Sequence, residues 1–237
     1  MVIDMKITIY HGSNYIIDKP IYGYGKSYND YGLGFYCTKS IDLAKEWSTS
    51  LNIDGYANKY EIDTTNLTIL NLNDGNYTIL NWLAILLKNR EFDTITPIAI
   101  EARNYLLNNF LINYEAYDII IGYRADDSYF SFANDFLNNS ISLKQLNKAM
   151  HLGKLGEQFV LKSKKAFDNL KFISSEKVSS SIWYPLKSNR STKARIDYFK
   201  LREQSNFEDD IYILDILRKG MKNNDPRLRW ELLSICM

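Results

Sequence analysis

The chain has 237 residues, 46% hydrophobic and 24% charged, with a formal net charge of +1. That length can bury one full core with an appendage, or two small domains, and the near-neutral balance supplies no general attraction to nucleic acid or an anionic membrane. Cys37 and Cys236 are the two cysteines and His11 and His151 the two histidines, and their spacing fits no metal-ligand pattern. The opening residues lack a basic segment followed by an apolar one, and no run approaches about 18 apolar residues, so the expected location is the cytoplasm, with no membrane partner.

Taken in order, residues 6–13 alternate as a strand that ends in the polar tip His11-Gly12-Ser13. Gly12, lacking a β carbon, is expected to let a ligand approach the main chain. Residues 14–31, rich in Gly, Tyr, Asn and Lys, read as a long connection of the kind that is usually functional or mobile. A second strand follows at 34–38, then a helix at 41–50 opened by Ser40, with Ile41, Ala44 and Trp47 on one face. Cys37 reads as a small buried apolar residue.

Residues 59–63 alternate as a strand, and 71–77 is turn chemistry centred on Asp74-Gly75. Two helices with broad apolar stripes follow at 78–88 and 98–110, the second started by Pro97. The apolar run 117–122 predicts a strand buried on both faces, ending at the polar tip Arg124-Ala125-Asp126-Asp127. Ser142 and Gln145 form a capping box for a helix to about Met150, closed by Gly153. Strands are expected at 157–162 and 171–174, with a short helix at 164–170 between them.

Ser179-Ser180-Ser181 and the acid-free basic stretch 187–195 read as a linker. Asp210 is then expected to cap a helix whose Ile211, Leu214, Leu217 and Met221 share a face. Asp225-Pro226 begins a last helix carrying Leu228, Leu232 and Ile235. The predicted class is α+β: a split, twisted antiparallel β core with flanking helices over residues 1–178, then a linker and helical C-terminal extension over 179–237.

Tyr10-His11-Gly12-Ser13, Gly34-Phe35-Tyr36-x-Thr38 and the helical Trp47 together resemble the ADP-ribosyltransferase superfamily, in its His-Tyr-Glu branch with diphtheria toxin and the poly(ADP-ribose) polymerases. The nearer likeness is to a bacterial domain family with a YHGS opening, a GFYxT second motif, an ADD element and a late Gln-containing strand, often paired with a small antitoxin-like partner. It continues in residues 117–122, in Ala125-Asp126-Asp127 and in Glu157-Gln158-Phe159.

The resemblance implies NAD as substrate and no metal. His11 would bond a ribose hydroxyl, the Gly12 main chain would hold the carboxamide, and Tyr36 and Trp47 would flank the nicotinamide ring. Ser13 and Thr38 complete the implied NAD-holding set. Strand alternation turns only one of Glu157 and Gln158 toward the groove, and apolarity does not decide which; the resemblance selects Gln158, giving a catalytic set of His11, Tyr36 and Gln158. Glutamine can bond a ribose 2′-hydroxyl but carries no charge, and Asp126 or Asp127 is the candidate for the missing carboxylate.

The implied function is NAD-dependent mono-ADP-ribosyl transfer to a protein or nucleic-acid acceptor, by a bacterial toxin of a toxin–antitoxin or phage-defence pair. Two alternatives stand beside it: an NAD glycohydrolase using water in the same groove, and a catalytically silent NAD- or partner-binding module. The C-terminal extension would either pack on the core or receive an antitoxin.

Overall fold

The computed structural model describes residues 6–92, 94–125, 127–154, 156–204 and 210–233. Asp126, Ile235 and Cys236, and the side chains of Asp127 and Leu232, lie outside that description. Two compact units share the chain, each discontinuous in sequence. The first comprises Met1–Asn71, Tyr114–Arg124 and Leu155–Ser191, and the second Leu72–Asn113, Ala125–Lys154 and Thr192–Met237. The boundary expected at 178/179 therefore falls inside the first unit.

The first unit contains two sheets. Strands β1 (Lys6–Ser13), β3 (Gly55–Asp63) and β7 (Leu170–Val178) form an antiparallel sheet in the order β1-β3-β7. Strands β2 (Phe35–Cys37), β6 (Glu157–Leu161), β5 (Ile119–Tyr123) and β4 (Ile69–Asn71) form the other, in the order β2-β6-β5-β4. The expected α+β class with two sheets is what the chain adopts; the β4–β5 pair, which is parallel, is the departure from an antiparallel core.

One apolar cluster joins the sheets: Ile9, Tyr60 and Ile62 meet Phe35, Cys37, Ile121, Phe159 and Leu161. These positions alternate along their strands, as a half-buried or sandwiched sheet requires. The opposite face of the three-stranded sheet receives helix α1 (Ile41–Ser48), where Ala44, Ala57 and Val178 pack with Tyr10 and Trp183. Ser40 caps α1 by accepting the Leu43 N–H at 3.3 Å. Helix α6 (Lys164–Asp168) links β6 to β7.

The expected linker is instead helix. Residues of the 179–195 stretch enter α7 (Ser180–Arg202), 23 residues long, with Pro185 inside it. Its start depends on a remote cap: Asp54 Oδ1 accepts from the Ser180 N–H at 2.9 Å and from its hydroxyl at 3.0 Å. Further along, Arg190 donates through Nε and Nη2 to both oxygens of the buried Glu46, at 2.9 and 2.6 Å. Lys187 donates to the Thr49 carbonyl at 3.2 Å. Polar contacts to distant residues fix its first half, and Ala194, Tyr198 and Leu201 are buried further along.

The second unit is helical. Its α2 (Ile79–Asn89) is buried at every position from Ile79 to Leu87, more completely than a striped helix would be. Helix α3 (Pro97–Asn109) starts at Pro97, with Thr96 Oγ1 accepting from the Ala99 N–H. Helix α4 (Asp127–Leu137) was not predicted. Helix α5 (Leu143–Ala149) carries the expected capping box, the Gln145 N–H donating to Ser142 Oγ at 3.2 Å and the Ser142 N–H to Gln145 Oε1 at 2.9 Å.

Helices α8 (Ile213–Arg218) and α9 (Pro226–Leu233) complete that unit. The start of α8 differs from expectation: Asp215, not Asp210, serves its first turn, accepting the Tyr212 N–H at 3.1 Å. Of the expected face Ile211 and Met221 are buried, while Leu214 and Leu217 are only partly so and Ile213 and Ile216 are fully buried in their place. In this part of the chain Ile211, Ile213, Ile216, Met221 and Leu228 are buried. The Ile211 carbonyl accepts from the Leu143 N–H at 2.7 Å, and the Met221 carbonyl accepts from the Tyr105 hydroxyl at 3.0 Å. No helix among the described residues is long and apolar enough to cross a membrane.

Candidate functional site

Among the described residues the two sheets share one isolated backbone bridge and then part. Tyr10 N–H donates to Thr38 O at 2.8 Å and Thr38 N–H to Tyr10 O at 2.9 Å. Continued antiparallel register would pair Gly12 with Tyr36 next, but the bridge is isolated. The Tyr36 carbonyl bonds His11 Nδ1 instead, at 2.7 Å. A fork therefore opens at Gly12 and Tyr36.

Successive residues of a strand direct their N–H and C=O to alternate edges. Tyr10 directs both groups at Thr38, so those of Gly12 lie on the same edge, toward the fork and away from β3. The missing side chain has a different purpose from the one expected. A β carbon on Gly12 would sit 2.1 Å from Ala44 O and 2.8 Å from Ser48 N. Glycine at this position admits helix α1, and its main-chain groups lie along the strand edge.

His11 lies on the core side of the fork, its ring stacked on Phe35 at 4.4 Å. Facing a carbonyl, Nδ1 must carry the proton, which leaves the Nε2 lone pair as an acceptor. Burial lowers the imidazole pKa, partly opposed by the bond to Tyr36, so the ring is held in its neutral form.

Tyr36 is fixed at its tip. Its hydroxyl donates to Gly32 O at 2.6 Å and accepts the Tyr31 N–H at 3.0 Å. Tyr31, fully buried, donates its own hydroxyl to Tyr123 O at 2.7 Å. Lys162 Nζ donates to the Tyr31 and Leu33 carbonyls, each at 2.6 Å. The other end of the 14–34 connection is tied by the buried Asn58, which accepts the Ile17 N–H at 3.2 Å and donates to Ser13 Oγ at 3.0 Å. Between these anchors Ile21, Tyr22, Tyr24 and Tyr28 are exposed.

Gln158 shares a sheet face with Tyr36, since Tyr36 pairs with Val160, two residues further along β6. Glu157 is exposed and Gln158 buried, which separates two residues that alternation alone left equivalent. The Gln158 amide donates through Nε2 to Asp30 Oδ2 at 3.2 Å, while its Oε1 is buried without a partner. A buried acceptor with no donor costs about 1–3 kcal/mol, which makes Gln158 a candidate for contact with a ligand's donor group.

A family profile described as protein of unknown function (DUF3990) matches residues 7–172. The chain belongs to the DUF3990 family. No curated protein and no solved structure matches it. The DUF3990 match begins inside β1 and ends inside β7, so it includes His11, Gly12, Tyr36, Trp47 and Gln158.

The remaining predicted residues of this DUF3990 chain are placed as follows. Ser13 donates its hydroxyl to Tyr15 O at 2.6 Å, which shapes the start of the connection. Thr38 is 2% exposed, and its hydroxyl accepts the Ser40 N–H at 3.2 Å. Trp47 carries the Arg124 guanidinium over its ring at 4.3 Å, and its indole Nε1 is buried without a partner. Cys37 is fully buried and its thiol pKa is pushed up by that burial, as a packing residue requires.

Sequence reasoning missed Asp30, Asn58 and Lys162 and read Arg124 only as part of a polar strand tip. Asn58 alone had a signal, because asparagine is disfavoured inside a strand. The others act through contacts that no local pattern contains.

Proposed function

We propose that the fork binds NAD and that this DUF3990 protein is a mono-ADP-ribosyltransferase, acting as a cytoplasmic toxin of a toxin–antitoxin or phage-defence pair on a protein or nucleic-acid acceptor. The observation that carries the reading is the orphaned, buried Gln158 Oε1 on the same sheet face as Tyr36.

A carboxamide has one acceptor and two donors, the complement of the Gly12 N–H and C=O on an open edge. Tyr36, held by its hydroxyl, offers a fixed ring face to a flat cationic ring. Neutral His11 offers Nε2, and Gln158 offers Oε1, as acceptors for ribose hydroxyls. In the reaction the C1′–nitrogen bond to nicotinamide breaks as an acceptor nucleophile bonds C1′. The electron pair leaves with neutral nicotinamide, and the acceptor's proton passes to solvent. Positive charge develops on the ribose, so groups fixed around it in advance lower the barrier.

The test is incubation of the protein and host lysate with NAD labelled in its adenylate, alongside calorimetry of NAD binding. A labelled macromolecule is expected, and Tyr36→Ala and Gln158→Leu should abolish labelling without unfolding the chain. Free ADP-ribose as the sole product would make the protein a glycohydrolase. Absence of NAD binding would overturn the reading.

A further inference from the structure

We infer that Asp30 is a positioning residue for this site, supplying through Gln158 the negative charge that a glutamine lacks. The inference rests on the NAD-cleaving reading above and replaces Asp126 and Asp127 as the source of the carboxylate. Asp30 belongs to the 14–34 connection, yet it is only 4% exposed. Its neighbour Tyr31 anchors it on three sides, through the hydroxyl bond to Tyr123 O, the N–H bond to Tyr36 and the carbonyl bond from Lys162.

The contact with Gln158 has two chemical consequences. An amide has nearly equal shape when rotated by half a turn, so burial alone does not decide which end faces the fork. A carboxylate accepts and cannot donate, so Asp30 holds Nε2 and leaves Oε1 as the buried, unbonded end of the amide. A carboxylate beside the amide N–H also polarises it, strengthening Oε1 as an acceptor for a hydroxyl. As positive charge develops on the ribose, the buried anion behind the amide favours it. The site then combines a neutral contact atom with a charge one bond back, instead of a carboxylate touching the sugar.

The experiment measures nicotinamide release, and calorimetric affinities for NAD and NADH, for wild type, Asp30→Asn, Gln158→Glu and the double variant. Asp30→Asn keeps the shape and can still accept from Nε2. It should lower kcat by about 10- to 100-fold, by analogy with the loss of a partner that orients a metal-binding side chain. It should also narrow the preference for NAD, whose nicotinamide ring is cationic, over NADH, whose ring is neutral, by about 3-fold or more, a readout that a purely structural role would leave alone.

Gln158→Glu alone should fall in activity, because two adjacent buried carboxylates cannot both ionise. Adding Asp30→Asn to it should raise turnover again by moving the charge onto residue 158. Wild-type kcat and NAD preference in Asp30→Asn, or a double variant no faster than Gln158→Glu, would overturn the inference while leaving the NAD reading intact. If Asp30→Asn melts below the assay temperature, the comparison of the double variant with Gln158→Glu still decides. If wild type binds NAD without cleaving it, the NAD-to-NADH preference decides, and only the transfer reading is lost. If wild type does not bind NAD, both readings fall.

Discussion

Gly12→Ala tests whether α1 rests directly on β1. The new β carbon would lie 2.1 Å from Ala44 O and 2.8 Å from Ser48 N, both main-chain atoms of the same helix. No rotamer can relieve that, so α1 must lift by about 1 Å to restore ordinary contact. Overpacking of this kind costs about 1–3 kcal/mol, and a clash against two backbone atoms belongs at the upper end. In a chain of this size each kcal/mol lowers Tm by about 2–4 °C, so Gly12→Ala should melt about 6–12 °C below wild type. Gly55→Ala, 2.1 Å from Ser48 O, should behave similarly. Gly75→Ala is the control: nothing lies within 4 Å of its β carbon, but φ is +84°. That conformation alone should cost about 1–2 kcal/mol. Differential scanning calorimetry without NAD makes the comparison. A Gly12→Ala protein that melts at or above Gly75→Ala would refute the direct seating of the helix.

Arg190→Ala leaves Glu46, 3% exposed, without its two-pronged partner. It should cost about 3 kcal/mol in urea unfolding, whereas the Glu46→Leu/Arg190→Leu pair should cost clearly less. Because burial lowers the His11 pKa, the unfolded chain takes up this proton first as pH falls. The neutral ring's contribution is complete above the unfolded value of about 6.5 and is lost as pH drops through the lowered folded value. Stability measured at pH 7.5 and 5.5 should therefore fall more for wild type than for His11→Gln, and equal losses would contradict a buried neutral imidazole. Lys162→Met removes both donors to the Tyr31 and Leu33 carbonyls. Trypsin should then cleave after Lys19 and Lys26 faster than in wild type, and unchanged cleavage would show that other contacts hold the connection.

Signals confined to a few neighbouring residues were enough to locate many elements. Alternation marked β1, Pro97 marked the start of α3, and Ser142 with Gln145 marked α5. The same local rules failed at α7, because its cap at Asp54 and its ion pair at Glu46 lie 126 and 144 residues away in the chain. They misplaced the start of α8 by choosing Asp210 over Asp215, either of which could cap a helix when seen alone.

At the candidate site, the sequence by itself determined which residue types were present: an imidazole next to a glycine, a tyrosine two residues before a threonine, and an amide on a late strand. Those patterns are short-range and chemical. Only the tertiary structure decided that β1 and β2 part after one bridge, that Gly12 is glycine for the sake of α1, and that Asp30 meets Gln158 across 128 positions. Periodicity and capping record how a segment treats its own backbone and its nearest apolar face. Which buried donor meets which acceptor depends on long-range packing, and that leaves no regular trace along the chain.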